Sequence, residues 1–125
     1  MSYKVLIIDD EDFIRENIAE MLTLLEYEVA MAVNGKDGIS KIVSFQPDVI
    51  LCDITMPFMN GYQVLEILRN SGAQANTPFI FLTSMAGAAE RREGILMGAD
   101  DYVTKPFEFS DLISAIEKQL NKSKQ

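Results

Sequence analysis

The run VILC at residues 49–52 stops abruptly at Asp53, and this arrangement of an apolar run followed by a reactive polar residue decides the fold. The same arrangement recurs along the chain, where VLII at 5–8, FIFL at 79–82 and YVT at 102–104 lead into Asp9-Asp10, Thr83 and Lys105-Pro106. Short runs rich in β-branched residues and flanked by helix-like segments are typical of buried strands in a parallel sheet. Ligands bind at the carboxyl ends of such strands, so we expect these polar side chains to meet at one edge.

Helical segments alternate with the strands along the whole chain. We predict strands at 4–8, at 28–32, in the run ending at Asp53, in the run after Pro78 and at 101–104. The helices are expected at about 13–25, after Asn34-Gly35, after Gly61, at about 88–97 and around Leu112, Ile113, Ile116 and Leu120. This alternation predicts an α/β doubly wound, flavodoxin-like fold with a five-stranded parallel sheet in the order 2-1-3-4-5 and five flanking helices.

Three local features refine that prediction. Helix 88–97 has few apolar anchors and contains Gly94, so we expect it to be weakly held. Gly98 is well placed as its left-handed cap. Residues 121–125 are polar and are expected to form a frayed tail at the end of a single domain that spans 1–125.

Composition excludes several classes of function. The chain of 125 residues has a net charge of −8, which makes it a poor candidate for direct binding of DNA or RNA. No apolar run approaches the length of a membrane span, and no signal peptide is expected, so we predict no membrane insertion. The single cysteine, Cys52, fits a reducing cytoplasm, which is the predicted location.

The chain contains no histidine. Histidine-based zinc sites, imidazole acid–base catalysis and a role as a histidine phosphodonor are therefore excluded. If the protein handles phosphoryl groups, the donor histidine belongs to another molecule.

Asp9, Asp10 and Asp53 would repel one another at a shared edge unless a cation compensated their charge. Oxygen ligands on a partly hydrated edge favour Mg²⁺. For the pair Asp9-Asp10 alone, capping of the first helix or simple solvation is the alternative. Asp53 could attack phosphorus, while Lys105 neutralises charge and the Thr83 hydroxyl donates to a phosphoryl oxygen.

On these residues the chain resembles the receiver domain of two-component response regulators. The matching segments are Asp9-Asp10, DITMPFMNG at 53–61, LTS at 82–84 and GADDYVTKPF at 98–107. The resemblance covers essentially the whole chain. It implies that Asp53 is the phosphoacceptor and that a partner sensor histidine kinase, or a histidine phosphotransfer protein, supplies the phosphoryl group. The expected domain is therefore not an enzyme beyond its own phosphoryl transfer and autodephosphorylation.

The resemblance also implies roles for the other site residues. Asp10, Asp53 and the backbone carbonyl of Thr55 would bind Mg²⁺ directly, and Asp9 would act mainly through a bound water. Lys105 would contact the phosphoryl group, and its bond to Pro106 would be cis.

Thr83 and Tyr102 resemble the coupled switch pair of the family. On phosphorylation Thr83 would move toward the phosphoryl oxygens and Tyr102 would rotate inward. That rotation would change the surface of the fourth helix, fifth strand and fifth helix, which would then control a downstream protein target or a fused output domain. A Tyr102 that is simply fixed and half-buried is the alternative.

The chain departs from the family pattern at several positions. Phe58 stands where the family often has glycine, and Thr55 and Met85 supply neither a carboxylate nor an amide to orient a hydrolytic water. Ser110-Asp111 lacks the arginine found in regulators that dimerise to bind DNA. Thr55 and Met85 therefore favour a moderately long-lived phosphoryl state, and Ser110-Asp111 argues against the dimer interface of those DNA-binding regulators.

Two rival functions use the same residues. An aspartate-nucleophile phosphohydrolase would carry a second acid two residues after its nucleophile, where this chain has Thr55. A receiver-like module that binds partners without phosphorylation would typically lose the acceptor, an acidic ligand or the lysine, and this chain keeps all of them.

Overall fold

The computed structural model describes residues 2–84 and 88–123, in which five strands alternate with five α-helices. The strands are β1 (Lys4–Ile8), β2 (Glu28–Ala32), β3 (Val49–Asp53), β4 (Phe79–Thr83) and β5 (Asp101–Thr104). The helices are α1 (Asp12–Leu24), α2 (Gly35–Phe45), α3 (Gly61–Arg69), α4 (Ala88–Leu96) and α5 (Phe109–Ser123). None of these helices is both long enough and apolar enough to cross a bilayer.

The sheet is parallel and has the order β2-β1-β3-β4-β5, as the alternation of runs and helices predicts. β1, β3 and β4 read as continuous apolar runs because both of their faces are covered. One face packs against α2 and α3 through residues such as Ile50 and Phe81, and the other packs against α1 and α5 through residues such as Leu51 and Ile80.

Helix ends are defined by recognisable caps. The predicted second helix begins at Gly35, and Asn34 caps it, because the Asn34 side chain accepts a hydrogen bond of 2.8 Å from the Asp37 amide. Gly98 follows the C-terminal end of α4 and has a φ of +102°, which confirms the predicted left-handed cap. The amides of Ala99 and Gly98 donate to the carbonyls of Gly94 and Ile95, each at 3.0 Å, which is the Schellman arrangement.

The structure departs from the predicted boundaries in a few places. Helix α5 continues through Ser123, three residues into the predicted polar tail, because packing of Gln119 and Leu120 holds its last turns against the core. Residues 124–125, Met85 and Gly87 lie outside the described residues. A short 3-10 turn at Gly72–Gln74 was not predicted, since its segment SGAQANT has no apolar periodicity.

Candidate functional site at the carboxyl edge of the sheet

Strand order brings three carboxylates together at the carboxyl edge of the sheet. Asp9 follows β1 and is fully buried, Asp53 ends β3 and is 6% exposed, and Asp10 faces solvent. One oxygen of each carboxylate lies within 4.8 Å of the others. Neither Asp9 nor Asp10 is the N-cap of α1, a position that Glu11 occupies. The structure thus favours a shared cluster over the capping alternative.

Lys105 places its ammonium group among these acids. Its Nζ lies 2.9 Å from Asp9 Oδ2, 3.3 Å from Glu11 Oε1 and 3.6 Å from Asp53 Oδ2. The Lys105 amide donates to the Thr83 carbonyl at 2.9 Å, and the bond to Pro106 is cis, as the resemblance implies. Lys105 is therefore tied to the ends of both β1 and β4.

Burial and neighbouring charges shift the pKa values of Asp53 and Lys105. Burial raises the pKa of the Asp53 carboxyl from 3.8 to about 6; Lys105 opposes this shift, and Asp9 and Asp10 add to it. Burial alone would lower the pKa of Lys105, but its hydrogen bond to Asp9 and the charge of Asp53 outweigh burial and raise it. Lys105 therefore stays cationic and offsets part of the repulsion among the acids.

The donor set fits a hard divalent cation. Asp9, Asp10 and Asp53 offer oxygen ligands only, and the described residues around them supply no nitrogen or sulfur ligand to the cluster. Mg²⁺ takes one or two carboxylates and keeps several waters, which suits an edge where Asp10 is exposed. Thr55 is exposed in the loop that follows β3, two residues after Asp53 in the chain.

Two residues that shape the site were not singled out from the sequence. The guanidinium of Arg15, which is 7% exposed, donates to the Asp9 carbonyl at 2.8 Å and to Asp12 Oδ1 at 2.6 Å. Glu11 shares Lys105 with Asp9. The available signals were a charged residue beside the apolar face of α1, one after Ile14, and a further acid directly after Asp9-Asp10.

The close fit of α3 also supports the site. The Gly61 amide donates to the Ile54 carbonyl at 2.8 Å, and a Cβ at Gly61 would lie only 2.3 Å from the Asp53 carbonyl oxygen. Because that neighbour is backbone, any side chain at Gly61 would displace the strand end that carries Asp53. Glycine at the start of α3 is thus a requirement of the site.

The predicted switch residues lie beyond the acids. Thr83 ends β4 and is 1% exposed, and Tyr102 on β5 is 8% exposed. The centroids of the Tyr102 and Phe81 rings are 5.5 Å apart, so the Tyr102 ring occupies the inward position. Phe58, by contrast, is completely exposed with a φ of +69°, a conformation that glycine adopts more readily.

Comparison with known proteins agrees with this geometry. Residues 5–117 match the family described as response regulator receiver domain. The chain is 37% identical over 114 residues to protein PilG of Pseudomonas aeruginosa, covering 91% of this chain and 84% of PilG. It is also 37% identical over 120 residues to the transcriptional regulatory protein DltR of Streptococcus agalactiae, covering 96% of this chain and 53% of DltR.

Solved structures show the same fold. The chemotaxis protein CheY4 of Vibrio cholerae superposes with a TM-score of 0.91 at 30% identity, covering 96% of this chain and all of that one. The receiver domain of the Francisella response regulator 1452 gives a TM-score of 0.91 at 32% identity, covering 98% and 99% of the two chains.

The chain spans most of PilG but about half of the transcriptional regulators that it matches. Receiver domains of this kind serve signalling in two-component systems and generally bind Mg²⁺ at an acidic pocket, the kind of pocket that Asp9, Asp10 and Asp53 form here. In sequence, in fold and in the arrangement of its acidic edge, the chain belongs to the response regulator receiver domain family.

Proposed function

We propose that the protein is a phosphorylation-controlled signalling receiver in which Asp53 accepts a phosphoryl group from a histidine of a partner. The observation that carries this proposal is the position of Asp53 beside Asp9, Asp10 and Lys105 at the carboxyl edge of the sheet. The chain has no histidine, so the donor is a separate sensor histidine kinase or histidine phosphotransfer protein.

The transfer needs few protein groups. An oxygen of Asp53 attacks phosphorus in line, forming the new O–P bond as the P–N bond of the donor phosphohistidine breaks. The imidazole leaves with the electron pair of that bond and takes up a proton. Lys105, 3.6 Å from Asp53, is close enough to pair with a phosphoryl oxygen after transfer.

Asp9, Asp10, Asp53 and the backbone carbonyl of Thr55 are the candidate groups that hold Mg²⁺. In this assignment Asp10, Asp53 and Thr55 would bind it directly and Asp9 would act mainly through a bound water. When bound, the cation supplies positive charge that offsets the carboxylates and the incoming phosphoryl group. Lys105 already pairs with Asp9 at 2.9 Å, so it shares this neutralising role.

Thr83 and Tyr102 carry the signal outward. Thr83 donates its hydroxyl to a phosphoryl oxygen, and this contact strengthens the preference of the Tyr102 ring for the inward position that it already occupies. The surface formed by α4, β5 and α5 changes with it and controls a downstream protein or a fused output domain. The net charge of −8 argues against direct nucleic-acid binding by this domain.

The domain acts on itself and not on a separate substrate, so it is a phosphoacceptor and not an enzyme in the usual sense. Its self-directed reactions are acceptance of the phosphoryl group and autodephosphorylation. We place it in the cytoplasm, where reducing conditions suit the buried Cys52 thiol.

Phosphorylation by a small donor tests the proposal without knowledge of the kinase. The protein is incubated with acetyl phosphate and Mg²⁺, and its mass is followed beside Asp53→Ala and the control Asp111→Asn, which changes an exposed acid on α5. We expect one added phosphoryl group in the parent and the control, dependent on Mg²⁺, and none in Asp53→Ala.

An adduct that persists in Asp53→Ala would assign the acceptor to another residue. No adduct in the parent, together with no response to beryllofluoride, would favour the module that binds partners without phosphorylation. Continuous release of phosphate from a range of phosphomonoesters would favour the phosphohydrolase.

A further inference from the structure

Gly94 in α4 lies directly over the ring of Tyr102. Gly94 is buried, and a Cβ placed on it would lie 2.7 Å from Cε2 of Tyr102 and 3.1 Å from its phenolic oxygen. The same Cβ would lie 3.2 Å from Cδ2 of Phe81. The inward ring therefore occupies the space that a side chain at position 94 would fill. We call the space that Gly94 and Phe81 leave for this ring the Tyr102 socket.

Backbone conformation does not explain this glycine. Among the described glycines only Gly72 and Gly98 have a positive φ, so Gly94 has helical geometry that alanine would adopt easily. Glycine within a helix is less favourable than alanine because it loses more conformational freedom on folding. The property that distinguishes Gly94 is its missing side chain.

The neighbour that limits position 94 is able to move. At Gly61 the obstructing atom is a backbone oxygen, whereas at Gly94 it is the outer half of a tyrosine ring. Rotation about χ1 of Tyr102 would carry that ring away from α4. A side chain at position 94 would then compete with the inward ring for one volume.

We propose that Gly94 is a positioning residue for the switch: its missing side chain provides the Tyr102 socket, and the size of residue 94 sets the balance between inward and outward Tyr102. This inference rests on the proposed function only where it connects Tyr102 to phosphorylation. The socket itself is a property of the unphosphorylated protein and is tested there.

A double-mutant cycle separates the socket from simple helix propensity. In the parent, Gly94→Ala is expected to lower the folding equilibrium constant about ten-fold, since the added methyl group overpacks the site or expels the ring. In the Tyr102→Ala background the same change should raise that constant about two- to five-fold, because alanine then acts only through helix propensity. Urea denaturation of the four proteins gives the constants.

Fluorine NMR then reports where the ring lies. The protein is labelled with 3-fluorotyrosine, and the Tyr102 resonance is assigned with Tyr102→Phe. We expect Gly94→Ala to move this resonance toward the solvent-exposed position and to increase its solvent isotope shift. Leu96→Ala, which truncates a 79% exposed side chain of the same helix, is the matched control and should leave the resonance unchanged.

The connection to the acidic site is measured with beryllofluoride and Mg²⁺. If the phosphorylated state prefers the inward ring, a variant that excludes the ring must bind beryllofluoride more weakly, because coupling between two sites is reciprocal. We expect the apparent affinity of Gly94→Ala to fall about five-fold or more, and that of Leu96→Ala to stay at the parent value.

Equal effects of Gly94→Ala on the folding equilibrium constant in the parent and in the Tyr102→Ala background would overturn the socket. A Tyr102 resonance that keeps its position in Gly94→Ala while α4 shifts would also overturn it. A parent protein that fails to bind beryllofluoride would contradict the proposed function and leave the cycle and the NMR result to decide the socket. Unchanged beryllofluoride affinity in Gly94→Ala, with normal binding by the parent, would overturn the connection to the switch.

Discussion

Helices α3 and α4 have the same length, nine residues, but the protein holds them in different ways. α3 begins with a capping box between Asn60 and Gln63 and buries Val64, Leu65 and Leu68. Of the α4 residues whose side chains the structure describes, 92–96, only Gly94 is buried, whereas Ile95 and Leu96 are 59% and 79% exposed. Among the side chains that the structure describes, α3 is held by its own apolar residues, whereas residues 92–96 of α4 are held by contacts with other elements.

Two neighbours support the described part of α4, residues 92–96, from outside. The Tyr102 ring lies beneath Gly94, and Arg69 at the end of α3 donates to the Gly98 carbonyl at 2.6 Å just beyond α4. A helix with few buried apolar contacts opens locally at low free energy. We therefore expect α3, which starts against Asp53, to be the rigid helix, and α4, which forms part of the proposed output surface, to be the responsive one.

Leu65→Ala should show the strength of α3 most clearly. Leu65 is fully buried against the sheet, so truncation leaves a cavity and is expected to cost about 2–5 kcal/mol of unfolding free energy. Urea denaturation measures this loss, with Ile67→Ala, at a 41% exposed position of the same helix, as the control. A loss below about 1 kcal/mol would mean that α3 is held no more firmly than α4.

Arg69→Met tests the connection between the two helices. The guanidinium of Arg69 donates to the carbonyls of Ala75, Thr77 and Gly98 and pairs with Asp100 at 3.0 Å. Methionine keeps much of the stem but leaves these acceptors without the cation, at an expected cost of about 1–3 kcal/mol.

Hydrogen exchange should locate that loss. We expect the amides of α4 to exchange faster in Arg69→Met while those of α3 keep their protection relative to global unfolding. Equal acceleration in both helices would show that Arg69 stabilises the whole domain and does not specifically fasten the end of α4.

Asn60→Ala removes the cap of α3. The Asn60 side chain accepts a hydrogen bond of 2.9 Å from the Gln63 amide, and the Gln63 side chain accepts one of 2.8 Å from the Asn60 amide. Losing this box should cost about 1 kcal/mol. Asn60→Ser, which restores an oxygen acceptor, should recover most of the stability; failure of serine to do so would assign the effect to the loop instead of the cap.

The sequence predicts the firmly held helix α3 and the strand order, and it predicts the weakly held helix α4 only in part. The spacing of Val64, Leu65 and Leu68 predicts α3, and the few anchors around Gly94 predict a weak helix. The alternation of runs and helices leaves few strand orders, and the predicted order 2-1-3-4-5 brings Asp9, Asp10 and Asp53 together. These features depend on local pattern or on topology.

Features that depend on tertiary contacts were not predictable. Helix periodicity does not show that Gly94 faces the ring of Tyr102, a residue on a different element. Nor does it show that the Arg15 guanidinium is buried under Asp9, since arginine is usually exposed. The resemblance placed Tyr102 inward after phosphorylation, yet the structure already shows an inward ring, because the socket offers it buried apolar contacts.

Ile95→Ala should have the smallest effect and bears most directly on α4. Ile95 is 59% exposed, so truncation removes little buried surface and should change the unfolding free energy by no more than about 0.5 kcal/mol. Alanine also favours the helix slightly over isoleucine, which offsets part of any loss. Urea denaturation of Ile95→Ala and Leu65→Ala side by side would then compare two truncations of similar size that lower the unfolding free energy by very different amounts. A cost for Ile95→Ala comparable to that of Leu65→Ala would mean that Ile95 is buried in solution by a second copy of the chain. In that case the cost should shrink on dilution, because a protein stabilised by association loses stability as its concentration falls.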